Sequence, residues 1–487
     1  MTGIISYGGY IPRLRLNRKA MASANAWMEP SLFAYSKGER SMCNWDEDSV
    51  TMAVEAARDC LTGLDKNKVD AIYAASTSFP FSDRQNSGII AGALNLSENI
   101  AGMDVTSSQR AATSGLIAAL NAATAEGGQH LLVAGEKRET QSAVSQELLY
   151  GDGAAALMLG SENVIAEYLG SASVTVDFVD HYRRKDKTFD YNWEERWIRD
   201  EGLTKIPPQA IKRALEKTGV SADQITHFIM PSVFGAAAPK IAKLTGISAE
   251  AIRDNLFLSC GEAGVAHSMI MLVDALQDAK AGDVILVAAF GQGCDALLFK
   301  VTDAINGLAD RNGVKGSLAR RKEESNYMKF LTFNGLINQG KGLRAESNPQ
   351  TALTTLYRNR KMLAGLVGGV CSKCQTQQFP KAAICVNPSC KHRGDQADVE
   401  FADQSAKIMS WSNDALTYTI DPPAHYGMVQ FDDGGRFFAD FTDYDVGNVD
   451  VGMPVRMVFR IKDTDDIRGM NRYFWKAAPI YTAGEEA

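Results

Sequence analysis

Gln109 stands at the start of a helix where a nucleophile would be well placed, and it is not one. The stretch from Asp104 to Ala125, DVTSSQRAATSGLIAALNAATA, reads as the end of a buried strand, a two-serine turn, and a helix built almost wholly from Ala, Gly, Ser and Thr. Leu116, Ile117 and Leu120 are its inward residues. Such a small-residue helix packs closely against other backbone deep in a core. Its first turn points unpaired N–H groups at whatever lies in front, a place suited to a nucleophile or an oxyanion. The residue placed there is Gln109, and an amide does not attack; it offers N–H donors to an oxygen anion. Ser107 and Ser108 need a nearby base to react and read instead as caps of the helix.

A second stretch with chemical capacity is CGEAGVAHS, Cys260–Ser268, which leads into another apolar helix. Glu262 is costly in so apolar a segment unless it is used or paired, and with His267 it can form an acid–base pair. The plainer reading makes His267 a satisfied core residue. Cys260, and Cys294 in GQGCD, are either displaced reactive thiols or inert small core residues. The other concentration of chemistry is Cys371, Cys374, Cys385 and Cys390: a Cys-x2-Cys pair, ten intervening residues, then a Cys-x4-Cys pair. Four thiolates so spaced suit a closed tetrahedral site for structural zinc. His392 is a spare ligand that this reading does not need.

The elements that must position these residues form a repeat. Ala53–Ser76 reads as an amphipathic helix, a polar connector and an apolar strand, and Ala210–Ser232 repeats that order. Ser114–Glu136 is a core helix, a glycine turn and a strand, matched by Ser268–Phe290 with Gly128 falling on Gly282. Continuous apolar strands such as LLVAG and VILVAAF belong to buried sheets covered by helices, an α/β architecture, here as two fused copies of a domain-sized half. The chain has 487 residues, enough for two or three domains, and a net charge of −7, which argues against a nucleic-acid binder. No signal peptide and no membrane-spanning run is legible, so the expected compartment is the cytoplasm, where crowded cysteines are metal ligands rather than disulfides.

GGYIPR at Gly8–Arg13, WDEDSVTMAVEAA at Trp45–Ala57, GDGAAALMLG at Gly151–Gly160 and FGQG at Phe290–Gly293 resemble motifs of hydroxymethylglutaryl-CoA synthases, the archaeal type above all. They are also similar to ketoacyl synthase III enzymes. Both belong to the thiolase superfamily, and the resemblance, over residues 3–302, implies a duplicated α/β fold, a CoA thioester substrate, carbon–carbon chemistry at an acyl carbon, and a homodimer. Residue by residue, the family's catalytic parts are missing. Its nucleophilic Cys falls on Gln109, its general-acid/base Glu on Thr77 in STS, its His on Pro231 or Ser232, and the Asn of its GN motif on Glu262. Ketosynthase-like domains with Gln for Cys act as decarboxylases that stabilise an enolate, and a retro-Claisen cleavage needs the same pocket. In DHYRRKD, otherwise a solvated loop of Asp180, His181 and their neighbours, Arg183 and Arg184 are the candidates to meet CoA phosphates.

Beyond residue 305 the pattern changes. Asn306–Asn348 reads as a connector with one short helix around Glu323–Leu336, and a helix-like YRNRKMLAGLVGG precedes the first cysteines. Ala406–Arg460 then alternates β runs (KIMSWSN, LTYTID, GMVQFD, FFADFT, PVRMVFR) with Gly, Asp and Pro turns, the pattern of a small antiparallel barrel. Ribbon and barrel together, over residues 350–480, resemble the zinc-ribbon/OB-fold partners of thiolases, which hold complexes together and help bind CoA. The expected domains are 1–160 and 161–305 (the two thiolase-like halves), 306–349 (connector), 350–395 (helix and zinc ribbon) and 396–487 (OB barrel and tail). The expected function is an acyltransferase or a retro-Claisen or decarboxylating lyase acting on an acyl-CoA or β-keto acid. Gln109, Glu262 and His267 are its expected catalytic residues. Its rivals are a non-catalytic acyl-CoA-binding scaffold serving a thiolase-like subunit and, more weakly, single-strand nucleic-acid binding by the barrel.

Overall fold

Nine strands form one sheet whose order reads nearly the same from either end. The computed structural model describes residues 1–340, 350 and 352–480. Its sheet contains β1 (Gly3–Tyr10), β2 (Val69–Ala75), β3 (Ala101–Val105), β4 (Gln129–Lys137), β5 (Asp152–Gly160) and β6 (Ala166–Thr175). A short ribbon of β7 (His181–Tyr182) and β8 (Tyr191–Asn192) follows, and β9 (His227–Ile229), β10 (Val284–Phe290) and β11 (Gly293–Val301) complete the sheet. The order is β9-β10-β11-β6-β1-β5-β4-β2-β3. From the centre outward, β1 corresponds to β6, β5 to β11, β4 to β10 and β2 to β9. The pairings agree, antiparallel in the middle and parallel at β2–β4 and β9–β10. The parallel pair β2–β3 has its counterpart in a single parallel bridge between Phe228 and Ile252. This is the duplicated α/β design expected from the helix–strand repeat.

Helices α1 (Ser49–Cys60), α2 (Ala111–Glu126), α3 (Ile206–Thr218) and α4 (Gly264–Asp278) are the repeated ones. The core helices α2 and α4 touch each other, and Leu116, Leu120, Ala119, Ala266, Ile270 and Val273 share one apolar cluster with strands of both halves. Helix α3 packs Ile206, Ala210, Ile211 and Ala214 against β6, β10 and β11 in a second cluster. Two expectations need correcting. Helix α1 is not amphipathic: it is buried on nearly every face, even at Glu55, whose carboxylate is taken by Arg58 at 2.9 Å. Strand β3, leading to Gln109, is not buried either. It ends the sheet, with β2 on one side only, and Met103 is 50% exposed.

The chain divides into two compact units. The first is Met1–Cys43, Asp48–Gly88 and Leu96–Leu336; the second is Asn44–Glu47, Ile89–Asn95 and Ile337–Ala487. In the first unit the supposed connector is more ordered than its Gly- and Asn-rich composition predicts. It forms a helix at Gly313–Ala319, a strand at Lys322–Glu324 parallel to Leu14–Asn17, and a helix at Tyr327–Phe333. Val314, Phe330 and Leu331 are buried and hold it in place; residues 341–349 lie outside the described residues. The Tyr327 hydroxyl donates to Glu147 at 2.9 and 3.0 Å.

Burial pushes the Glu147 carboxyl from its ordinary 4.5 up to about 7, although the bonds from Tyr327 and the Ala143 N–H favour the anion. The folded protein therefore keeps a proton that the unfolded chain has already released, and stability falls as pH rises from about 4.5 through 7. The loss should amount to about 3 kcal/mol over that window. Urea denaturation at pH 5 and pH 8 should show it for the wild type, and Glu147→Gln should flatten the difference.

In the second unit, Val367–Cys371, Gln377–Gln378 and Gln396–Glu400 make the three-stranded ribbon that carries the cysteines. The barrel has β12 (Ala406–Asp414), β13 (Ala424–Phe431), β14 (Arg436–Asp440), β15 (Pro454–Asp465) and β16 (Met470–Pro479), in the order β14-β13-β12-β15-β16. A bridge between Phe441 and Ala477 joins the two ends of this antiparallel sheet, as in an OB fold. LTYTID is not a strand: the Asp414 carboxylate accepts from the N–H groups of Leu416 and Thr417 and makes a turn there. The last strand, β16, has no counterpart among the β runs expected from the sequence. It supplies buried Trp475, whose indole N–H donates to the Ala364 carbonyl at 2.6 Å. Fully buried Arg460 pairs with Glu47 at 3.0 Å and Asp443 at 2.9 Å, and Lys476 pairs with Asp46 at 2.8 Å. Among the described residues, no helix is long and apolar enough to cross a membrane.

Candidate active site

The loop in front of α2 is fixed before any ligand is considered. Ser107 takes a left-handed conformation, φ 75°, that reverses the chain after β3. The Ser108 hydroxyl donates to the Gly291 carbonyl at 2.8 Å, tying this loop to FGQG, so Ser108 anchors the loop more than it caps the helix. Arg110 continues the tie: its guanidinium donates to Gly291 at 3.1 Å, to Thr175 at 3.0 Å and to Asp295 at 2.8 Å. Asp295, wholly buried on β11, also accepts from Thr113, Ser114 and Ser173. A buried carboxylate with four donors is satisfied and rigid.

Gln109 sits between these anchors. Its Nε2 lies 3.4 Å from Thr77 Oγ1 and 3.4 Å from His181 Nε2, while its Oε1 is buried and without a partner. Thr77 in turn gives its N–H and its hydroxyl to Glu136 Oε2, at 3.0 and 3.2 Å. Glu136 is fully buried at the end of β4, and its Oε1 also lacks a partner. Burial pushes its carboxyl up, against hydrogen bonds from Ser78 and Thr77. Gly264, at φ +50°, opens α4 opposite them. A β-carbon there would stand 2.8 Å from Glu136 Cγ and 3.0 Å from Gln109 Oε1, so glycine preserves the space they share.

Of the residues expected from the sequence, Gln109 is at this centre and Glu262 borders it. Glu262 Oε2 lies 3.5 Å from Arg138, which stacks over the Tyr150 ring at 3.6 Å and pairs with Asp190 at 2.6 Å. The expected pairing of Glu262 with His267 is not made. The ring of His267 is buried, its Nδ1 accepting from the Ala263 N–H at 3.1 Å and its Nε2–H donating to the Asn255 carbonyl at 2.7 Å. Burial holds its pKa below the ordinary value. His267→Ala should therefore cost about 1–3 kcal/mol of stability in a denaturant titration, from two orphaned backbone groups, and alter turnover little at a temperature where the variant stays folded.

The thiols of Cys60 and Cys260 are pushed by burial up to about 12, and that of Cys294 is raised likewise, which makes them inert. Arg183 donates to the Thr77 carbonyl and lies 3.7 Å from Asp190, so it belongs to the site's frame; Arg184 is exposed and pairs only locally with Asp186.

Residues without a role in the sequence reading complete the site. Glu136 carried a signal, a carboxylate closing an apolar strand, the same argument that singled out Glu262. Asp180 and His181 do not lie on a solvated face: Asp180 is buried, and its Oδ2 accepts from His181 Nδ1 at 3.1 Å. Burial pushes Asp180 up, but the hydrogen bond and charge contact with His181 outweigh it and bring the carboxyl below the usual range. In the ribbon, the Sγ atoms of Cys371, Cys374, Cys385 and Cys390 all lie within 4.8 Å of one another. His392 contributes its carbonyl to the Cys385 N–H rather than its ring to that group.

Comparison with known proteins adds family to geometry. Residues 215–300 match the family model of the 3-oxoacyl-[acyl-carrier-protein] synthase III C terminus, and residues 399–460 match that of the ChsH2 C-terminal OB-fold domain. The hydroxymethylglutaryl-CoA synthase of Aeropyrum pernix is 31% identical over 316 residues, 62% of this chain and 86% of that protein. That of Pyrobaculum arsenaticum is 29% identical over 353 residues, 69% of this chain and 98% of that protein. A crystal structure of HMG-CoA synthase complexed with CoA superposes with a TM-score of 0.61 at 17% identity, covering 72% of this chain and 94% of that one.

Proposed function

The chain belongs to the hydroxymethylglutaryl-CoA synthase family, and we propose that it makes or breaks a carbon–carbon bond next to an acyl-CoA thioester without passing through a cysteinyl acyl-enzyme. The observation that carries this reading is Gln109, held by neighbours on both sides at the mouth of α2 with its Nε2–H groups facing Thr77 and His181. An amide there stabilises the oxygen of a thioester enolate, the species shared by aldol-type addition, retro-Claisen cleavage and decarboxylation of a β-keto acid. The inert state of Cys60, Cys260 and Cys294 supports the absence of a displaced thiol. Exposed Arg184 is the arginine able to meet a CoA phosphate on giving up Asp186, while Arg183 frames the site. The four cysteines of the ribbon hold a structural zinc ion, and the outer edge of β3 supports assembly as a homodimer.

The test is intact-protein mass spectrometry during turnover of acetyl-CoA, acetoacetyl-CoA and longer β-ketoacyl-CoA substrates. Product formation with no acyl mass on the protein is the expected result. An acyl adduct mapped to Cys43, Cys60, Cys260 or Cys294 overturns it.

A further inference from the structure

An enolate forms only when a proton leaves the α-carbon, and the residues first expected to take it are occupied elsewhere. His267 spends both ring nitrogens on backbone groups, and the Glu262 carboxylate faces Arg138. Glu136 is fully buried: its Oε2 is taken by the Thr77 N–H and hydroxyl, and its unpartnered Oε1 is closed off from solvent. On the reading of an enolate-forming thioester enzyme, we propose that His181 is the catalytic base of this centre and Asp180 the residue that positions it.

The geometry sets the tautomer. His181 Nδ1–H donates to Asp180 Oδ2 at 3.1 Å, so the lone pair stands on Nε2. That nitrogen accepts a long contact from the Gln109 Nε2–H at 3.4 Å, and a substrate that inserts there meets a proton acceptor and an oxyanion donor side by side. In an acyl thioester the acidic carbon and the carbonyl oxygen are bonded to the same carbonyl carbon, so one substrate can engage both. The side chains of His181 and Asp180 retain 17% and 12% exposure, sheltered yet open to a ligand. A base must be within reach of its proton and held there by a third group, and both conditions are met.

The ribbon that carries the pair is fastened at several points. His181 pairs with Asn192 across β7 and β8, and the Trp193 N–H donates to the Asp180 carbonyl at 2.9 Å. Asp190 is clamped to Arg138 at 2.6 Å, and Arg183 donates to the Thr77 carbonyl. These ties bring a sequence-distant loop against Thr77 and Gln109 and hold His181 to one place.

The step balances without any further reactant. Nε2 takes the α-proton as the C–H bond breaks; the electron pair becomes the C=C of the enolate, and the carbonyl oxygen takes the negative charge beside the Gln109 N–H groups. The imidazolium then returns its proton to carbon, or to the oxygen formed when the enolate adds to a second carbonyl. With no electrophile present, the reversed step in D2O exchanges the α-hydrogens.

That exchange is the test. The full chain is incubated in D2O with acetyl-CoA, propionyl-CoA or octanoyl-CoA, and the thioester mass is followed. The wild type should exchange, His181→Ala should exchange about 100-fold more slowly, and added imidazole should restore part of the rate. Asp180→Asn should lower kcat for exchange about tenfold with KM within about twofold, and Asp180→Glu should recover part of the loss. The near-isosteric His181→Gln serves if the alanine variant does not fold. Wild-type exchange that survives in His181→Ala and His181→Gln overturns the assignment and leaves the enolate reading standing. So does a loss that imidazole does not restore and that raises KM alone. No exchange by the wild type with any of the thioesters overturns both.

Discussion

Replacing Gln109 by Ala should lower thioester turnover by about 10²–10³-fold, the usual consequence of removing one preorganised oxyanion donor. The loss should fall on kcat, because the amide contributes when charge develops on the carbonyl oxygen, while CoA affinity measured by calorimetry stays near wild type. Gln109→Glu should be worse than Ala, since it sets a negative charge where the reaction creates another. Gln109→Cys restores the family's attacking group but should not restore acyl-cysteine condensation. On the correspondence that the resemblance implies, the positions of the family's Glu and His still hold Thr77 and Pro231 or Ser232, and Glu262 stands for its Asn. An alanine variant with wild-type kcat would remove the proposed mechanism. A cysteine variant that condensed two thioesters would show that the thiol alone had been lacking.

Removing the zinc proposed for the ribbon should have the largest effect on stability. The Sγ pairs Cys374–Cys385 and Cys371–Cys390 lie 3.5 and 4.0 Å apart, and tetrahedral zinc with bonds of about 2.3 Å sets its sulfurs about 3.8 Å apart. The Thr376 hydroxyl and backbone N–H bring the Cys374 thiol down to about 6, so a thiolate is at hand. The three-stranded ribbon has little apolar core, and apparent zinc affinities of about 10–16 kcal/mol in such sites act as folding free energy. The purified chain should contain one zinc per molecule by atomic emission. A strong chelator, or Cys385→Ser with Cys390→Ser, should open residues 366–400 to limited proteolysis. A metal-free preparation with the same proteolytic pattern and Tm would rule the zinc out.

Much of this architecture was legible in the sequence because it rests on local periodicity. The matching of Ser114–Glu136 with Ser268–Phe290 foreshadowed a sheet that repeats itself about its centre, and the cysteine spacing foreshadowed a four-sulfur cluster. Gln109 was legible because a helix start follows it directly. What escaped depended on contacts between distant residues. DHYRRKD has the composition of a solvated loop, and it takes distant ties, such as the clamp between Asp190 and Arg138 and the bond from Arg183 to the Thr77 carbonyl, to bring Asp180 and His181 to the site. His267 had the residue type of a catalyst, but its ring fits between the Asn255 carbonyl and the Ala263 N–H. Amino-acid type does not reveal such satisfaction. In the connector the short helix around Glu323–Leu336 was legible and is present at Tyr327–Phe333, but its anchoring was not, since Tyr327 and Phe330 find their burial against chain far upstream.

The second unit is not a contiguous piece of the chain, because Asn44–Glu47 and Ile89–Asn95 are counted in it. Lys476 finds its carboxylate on Asp46, and Arg460 finds one of its carboxylates on Glu47. A gene fragment beginning at Ile337 would therefore encode a barrel in which buried Lys476 lacks its carboxylate and Arg460 loses Glu47 while keeping Asp443, and a buried cation is costly to leave uncompensated. Whatever the history of this fusion, the module has ceased to be a cassette: transplanting it into another protein would require carrying along both of those early segments. During synthesis it can close only after the ribosome has passed Pro479, with Asn44–Glu47 and Ile89–Asn95 made hundreds of residues earlier.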